Sequence, residues 1–532
     1  MTVISSGRVV VGPARAVGRF KAFGMALSAV ALLSACGGGG SASGGAPSPP
    51  VAGPAPAPAP PPPPPPTSAC SLRERQDWAA AQLNEWYLFP ELLAPGVNPE
   101  SFATVQDYVD ALIAPARAQN KDRYFTRIGS MSDADEFLGS GSSAGFGFLL
   151  STDAGAGRAF VSEAYEGAPA LAANIDRGTE ILAIGTAASD LRTVASIIAA
   201  EGVEGVSAAF GPATVGLGRL LRVRDPDGAT RDVTLVKADY AIDPVSNRYG
   251  ALILNDNGKN VGYLNFRTFI GAPAEADLRS AFAQFRSKGI AEIIVDLRYN
   301  GGGLSSTAAL LSNLLQGNRS TSDVMSHVTF RPSKSGLNST TFFAPQPQSI
   351  SAARIAFIGT GSSRSASEAV MNAALPYLGA NAALIGSNTA GKPVGQRFLD
   401  RPACDDRLVA VAFATRNANQ QGDYYTGLAS KFQSTCSAAD DLQRPLGDPQ
   451  EASIRVALDF LAGRPCSPIS GGGARLRDRR THSSADRFRR RGPGLAPPAL
   501  LRKGSATAAS RSRPRRGPRP GTGPSRFRPR RA

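Results

Sequence analysis

Three short segments dominated by apolar residues, EIIVDL (292–297), RIAFIG (354–359) and NAALIG (381–386), alternate with stretches of helical periodicity. A strand that is apolar on both faces must be covered on both, so this alternation predicts an α/β layer structure. The helical stretches between them agree. Residues 273–287 put Leu278, Phe282 and Phe285 on one helical face, and LSSTAALLSNLL (304–315) and ASEAVMNAAL (366–375) follow two of the strands. Each strand runs directly into a loop rich in glycine or serine: RYNGGG (298–303), GSSRSASE (361–368) and SNTAGKPVGQ (387–396). A turn from a buried strand into a helix is where an enzyme exposes a nucleophile.

The rest of the chain reads differently. Residues 70–130 place Trp, Leu, Tyr, Val and Ile at helical spacing and show no chemical motif, which predicts a packing segment. From about 140 to 237 the pattern is of short strands, with Asp225-Pro226-Asp227-Gly228 as a turn between two alternating ones. Gly141-Ser142-Ser143-Ala144-Gly145 matches G-x-S-x-G. No buried strand precedes it and a β-like stretch follows, so a flexible loop is expected there.

The net charge of +16 suggests a nucleic-acid partner until it is located. Residues 467–532 hold 19 Lys+Arg against two acids, and the other residues 39 against 40. The globular part is neutral, so no nucleic-acid partner is expected. The Arg-, Pro- and Gly-rich end has no periodic apolar face and reads as a disordered tail.

At the other end, Arg8, Arg15, Arg19 and Lys21 precede AFGMALSAVALLSAC, which is too short to span a membrane as a helix. It closes on Leu33-Ser34-Ala35-Cys36, which resembles a bacterial lipoprotein signal with Cys36 as the lipidated residue. With Gly37 after the cysteine, the implied destination is the cell envelope, at the outer membrane. Residues 37–67 are a Gly/Ser piece followed by polyproline, a tether. Setting Cys36 aside leaves Cys70, Cys404, Cys436 and Cys466, an even number suited to an oxidising compartment. Cys404–Cys436 is the expected pair, because both lie in one segment; the pairing of Cys70 and Cys466 stays open. Zinc is disfavoured, since no Cys-x-x-Cys occurs and the histidines are His327 and His482.

A serine nucleophile would need a base, and the sequence narrows the choice. His482 lies in the tail, and His327, in DVMSHVTF, reads as an ordinary strand residue. No lysine stands three residues after a serine. A desolvated lysine can act as a base, although holding it neutral at pH 7 costs on the order of 4–5 kcal/mol. Among nine lysines, Lys392 alone sits in a glycine-rich loop after a buried strand and downstream of the serines. Asn300-Gly301-Gly302-Gly303 supplies backbone N–H groups at a helix start, where an oxyanion would be stabilised.

Together DLRYNGGG (296–303), SRSASEAV (363–370) and GKPVGQ (391–396) resemble the signatures of the carboxyl-terminal processing (tail-specific) peptidases, in the same order. That family consists of Ser/Lys serine proteases with a PDZ-like domain. The resemblance spans roughly residues 75–460. It implies a crotonase-like α/β protease core with an N-terminal helical domain and an inserted β-rich PDZ-like domain. By position it makes Ser365 the nucleophile, Lys392 the base and Gln396 its partner. Ala366 and one of Gly301 and Gly302 become the oxyanion donors, and Glu368 takes a structural role. Gly145-Phe146-Gly147-Phe148 resembles a PDZ carboxylate-binding loop, so the partners implied are protein or peptide substrates with free C-termini. No cofactor or metal is implied. Pro393, where the family has glycine, and the 27-residue separation of serine and lysine depart from the pattern.

The resulting organisation is a signal at 1–36, a tether at 37–69, a helical domain at 70–135, a PDZ-like domain at 136–238, a peptidase core at 239–466 and a basic tail at 467–532. The function implied is a serine endopeptidase of the bacterial cell envelope. The competing reading is a catalytically inactive, peptide-binding lipoprotein scaffold.

Overall fold

The computed structural model describes residues 70–470; Cys36, the tether and residues 471–532 lie outside the described residues. A six-stranded sheet has the order Ala251–Asp256, Lys259–Asn265, Glu292–Asp296, Arg354–Gly359, Ala382–Gly386, Ser434–Ser437. The first two strands form an antiparallel hairpin and the remainder are parallel. Successive side chains go to opposite layers, as strand geometry requires. Ile293, Val295, Ile355, Phe357 and Leu384 join the core formed with helices Ala274–Ser287, Ser305–Leu315 and Ala366–Leu378. Ile294, Ala356, Ile358, Ala383 and Ile385 pack instead with helix Ala452–Leu461. Leu278, Phe282 and Phe285 are all fully buried, so the expected apolar face is the face that packs.

A second, antiparallel sheet contains Arg127–Ser130, Asp406–Arg416, Val324–Phe330 and Ser339–Phe342, with Val394–Arg401 paired to Asp406–Arg416. Helices Leu72–Trp86 and Val105–Leu112 pack on it. Ala79, Leu83, Val109 and Ile128 form one cluster with Leu399, Leu408 and Val411. The helical segment therefore shares its core with the later part of the chain. Its short helices carry apolar faces too small to close a core of their own.

The β-rich insertion holds Phe148–Asp153, Arg158–Ala164, Glu180–Gly185, Gly218–Arg224 and Thr230–Val236 in that sheet order, with Arg192–Thr193 on Glu180–Gly185. Helix Val194–Ala209 contributes Val194, Ile197 and Val206 to its core. The turn at 225–228 is present, with Gly228 at φ +91°. At the neck of the insertion, Ser142–Gly145 pairs with Ala238–Ala241. Ser143 lies in that strand opposite Tyr240, which replaces the expected flexible loop: hydrogen bonding to the returning chain orders it.

Charged side chains bind the insertion to the core. Arg267 donates to Glu163 and Glu166, each at 2.6 Å. Arg177 donates to Asp440 at 2.6 Å and to the Tyr299 hydroxyl at 2.7 Å.

The disulfides correct the expected Cys404–Cys436 pair. Cys70 is bonded to Cys404 and Cys436 to Cys466, with Cα separations of 5.4 and 5.5 Å. Cys404 sits in the turn between two strands of the antiparallel sheet, whereas Cys436 lies on the edge strand of the parallel one. Nearness in sequence does not bring the two sheets together. The start of the tail is corrected too. Ser437 N–H donates to Ser467 O, and Ile469 N–H to Thr435 Oγ1, so residues 467–469 are held against the edge strand.

Candidate active site

The three glycine- and serine-rich loops leave the carboxyl ends of three neighbouring parallel strands, Glu292–Asp296, Arg354–Gly359 and Ala382–Gly386. Ligands of open α/β sheets bind at such ends. Adjacent strands thus bring together segments that lie far apart in sequence.

Ser365 is the N-cap of helix Ala366–Leu378, with φ +56° and ψ −114°. A left-handed backbone is costly for a residue with a Cβ, on the order of 1–3 kcal/mol, and is retained where the surroundings enforce it. Several contacts do so. Asn300 O accepts from Arg364 N–H, Ser365 O accepts from Ala369 N–H, and the Ser365 N–H donates to Glu368 Oε2 at 3.1 Å. Two other serines of the loop serve as ties. Ser363 Oγ donates to Leu297 O at 2.7 Å and Ser367 Oγ to Asn300 O at 3.0 Å, and both residues are buried. They lock the serine loop to the glycine loop.

The glycine loop lies against Ser365. A Cβ on Gly302 would stand 2.8 Å from Arg364 O and 2.9 Å from both Ala366 N and Ser365 Cβ. Gly302 has φ +96° and donates its N–H to Asn300 Oδ1 at 2.8 Å. That bond removes Gly302 from the two candidate oxyanion donors and leaves Gly301. Ala366, as the first helical residue, has an N–H beyond the reach of the intrahelical ladder.

Lys392 is 8 % exposed and precedes the strand Val394–Arg401. Its Nζ donates to Gln396 Oε1 at 2.6 Å and stands 4.9 Å from the centre of the Phe125 ring. Gln396 Nε2 in turn donates to Phe125 O. Burial pushes the ammonium down to about 7; the positive charges of Arg127 and Arg364 act in the same direction, against Asp122 and Glu368. Pro393 is accommodated at the start of the strand, where its carbonyl accepts from Thr415 N–H.

Glu368, fully buried, joins the pieces. Oε1 accepts from Thr389 Oγ1 and Gly391 N–H, both at 2.6 Å, and Oε2 from the N–H groups of Ser365 and Lys392. Burial raises its carboxyl above the usual range, against these bonds.

The segment KDRYFTR (121–127), which carries no chemical motif, supplies part of the lysine pocket. Arg123 donates to the carbonyls of Ala390 and Gly391, and Phe125 contributes both its ring and its carbonyl. The available signal was a run of charged and aromatic residues after the last helix of that segment. Arg364, beside Ser365, carries no motif of its own either. His327 lies on the antiparallel sheet with Nδ1 3.0 Å from Thr340 Oγ1. Among the described residues, no group of three or more His, Cys, Asp or Glu side chains could hold a metal, and no helix is long and apolar enough to cross a membrane.

In the insertion, Phe146 is buried against Phe148 and Phe210. The loop is held by its carbonyls: Phe146 O accepts from Ala170 N–H and Gly147 O from Tyr165 N–H. Strand Phe148–Asp153 is at the edge of its sheet among the described residues.

Residues 260–423, which contain all three loops, match the profile of peptidase family S41. The structure is similar to a putative S41 protease from Bacteroides fragilis, with TM-score 0.56 and 24 % identity over 73 % of this chain and 97 % of that one. It is also similar to a photosystem II D1 C-terminal processing protease, with TM-score 0.44 and 17 % identity over 73 % and 97 % of the two chains. A PDZ domain of a carboxy-terminal protease from Vibrio cholerae, solved with a peptide, aligns to 19 % of this chain and 99 % of its own, with 20 % identity and TM-score 0.16. No curated protein sequence matches.

Proposed function

We propose that this chain, whose core is that of an S41 peptidase, is a serine endopeptidase working through Ser365 and Lys392. The observation that carries the reading is the convergence of three strand ends: a strained serine, a glycine loop packed on it and a buried lysine titrating near 7. In the reaction, Ser365 Oγ attacks the scissile carbonyl carbon while its proton passes to the neutral Lys392 amine. The oxyanion accepts the N–H groups of Ala366 and Gly301. Collapse of the tetrahedral species breaks the C–N bond, and the Lys392 ammonium returns the proton to the leaving amine. Water, deprotonated by the same lysine, then hydrolyses the ester. Gln396 Oε1 orients the amine throughout.

An acylating serine probe tests this. Wild-type protein should be labelled at Ser365, and Ser365→Ala should be neither labelled nor active. Lys392→Arg should be as inactive as Lys392→Ala, because guanidinium stays protonated. An active Lys392→Arg protein would refute the mechanism.

The substrates are protein tails. A peptide would add as a strand beside Phe148–Asp153, with its terminal carboxylate on the N–H groups of the 145–148 loop. The open sheet edge and the carbonyl-anchored loop support this. Amidating a substrate's C-terminus should weaken binding; equal affinities for amide and acid would remove tail recognition. The enzyme is held in the cell envelope by lipid on Cys36, so Cys36→Ala should leave the membrane fraction with its peptidase activity retained.

A further inference from the structure

The residue before the nucleophile is Arg364. Its backbone is fixed on both sides, the N–H donating to Asn300 O and the carbonyl accepting from Ser367 N–H, so the side chain starts from a rigid point next to Ser365. Its Nε is buried and has no hydrogen-bond partner. Among the described residues the guanidinium takes part in no ion pair and no hydrogen bond, whereas Arg123, close by, bonds two carbonyls. Six other arginines, Arg123 among them, also bury an unbonded Nε, so the orphaned donor alone marks no site. What distinguishes Arg364 is its place beside Ser365, where an arriving substrate group would supply the partner.

The neighbouring acids cannot serve. Each oxygen of Glu368 already accepts two hydrogen bonds. Asp122 is in the same condition: Oδ1 accepts from the N–H groups of Phe125 and Thr126, and Oδ2 from the hydroxyls of Tyr87 and Thr126. Arg127 and Arg364 thus act on the lysine as nearby positive charges, Arg364 acts likewise on Arg123, and the acids among them are saturated.

We propose that Arg364 determines specificity by binding a substrate carboxylate next to the scissile bond. The inference rests on the peptidase reading and names the substrate class for it. The chemistry required is a planar anion that a guanidinium can grip with two parallel hydrogen bonds. An Asp or Glu side chain flanking the cleaved bond supplies it, and so does the terminal carboxylate of a substrate cut close to its end.

The full-length protein is assayed with four peptides. One pair differs by Glu or Gln beside the scissile bond, and the other by a free or amidated C-terminus. Wild type should favour the Glu peptide by about tenfold or more in kcat/KM, the scale of one charge-assisted pair. Arg364→Gln should bring that ratio to within about twofold of one, and Arg364→Lys should restore part of it. If the terminal carboxylate is the ligand, the dependence on Arg364 disappears with amidation instead. Affinities measured in the Ser365→Ala background repeat the comparison without turnover, so the arginine is tested even if the catalytic assignment fails. Equal treatment of both peptide pairs by the wild type, or an Arg364→Gln protein with unchanged ratios, would overturn the proposal. Loss of probe labelling at Ser365 in the wild type would count against the peptidase reading alone.

Discussion

Glu368 Oε2 accepts the backbone N–H of Lys392 at 2.7 Å. The same oxygen accepts the N–H of Ser365, so one buried atom holds the loop of the proposed base against the loop of the proposed nucleophile. In Glu368→Gln an amide NH2 faces at least one backbone N–H whichever way it is turned, Gly391 on one side or Ser365 and Lys392 on the other. The expected outcome is a loss of about 2–4 kcal/mol in urea denaturation. Peptidase kcat should fall at least tenfold. Full activity in a protein so weakened would show that the carboxylate supports only the fold.

Lys392 gives a pH signature with a fixed sign. Between about 7 and 10.5 the unfolded chain binds a proton that the folded chain does not, so stability rises with pH across that window. Below about 7 both states are protonated and the full penalty of the buried ammonium applies, on the order of 4–5 kcal/mol as an upper bound. Lys392→Met should therefore raise the unfolding midpoint at pH 6 and gain little at pH 10.5. In the wild type kcat/KM should climb with a midpoint near 7, which a pH–rate profile reads directly.

Gly302→Ala tests the contact between the glycine loop and Ser365. The new methyl would meet Arg364 O, Ala366 N and Ser365 Cβ at under 3 Å, two of them backbone atoms, at a φ of +96°. A stability loss of about 1–3 kcal/mol and a fall in kcat of about 100-fold or more are expected. Gly336→Ala, with nothing within 4 Å of the added methyl, is the control and should leave both unchanged.

The disulfides are checked by peptide mapping without reduction. Cys70 should appear linked to Cys404, and Cys436 to Cys466. Cys404→Ser should lower stability by about 2–5 kcal/mol. A mapped Cys404–Cys436 peptide would reverse the assignment.

The parallel sheet was legible because both layers are written into its strands: Ile293 and Ile294, adjacent in sequence, serve opposite cores. That the three loops meet follows from their leaving neighbouring strands of one sheet. Their unusual composition, glycines beside Ser365 and a lysine among small neutral residues, made them the candidates. The contribution of Arg123 and Phe125 was not. It arises from contacts across some 270 residues, which no local period records. The cysteine pairs failed for a related reason, since residues 404 and 436 belong to different sheets. Gly301 and Gly302 could be told apart only once the Asn300 side chain was seen to take the Gly302 N–H.

The Cys70–Cys404 bond closes a covalent ring through 334 positions of the chain, and Ser365 and Lys392 are both inside it. If the chain cleaves peptide bonds as proposed, other copies of itself are among its potential substrates. A single cut anywhere between residues 70 and 404 opens this ring but releases no fragment. The severed ends remain tied through the sulfur atoms, and serine and lysine stay on one molecule. Wear from self-cleavage would thus have to strike twice before it could pull the proposed nucleophile and its proposed base apart.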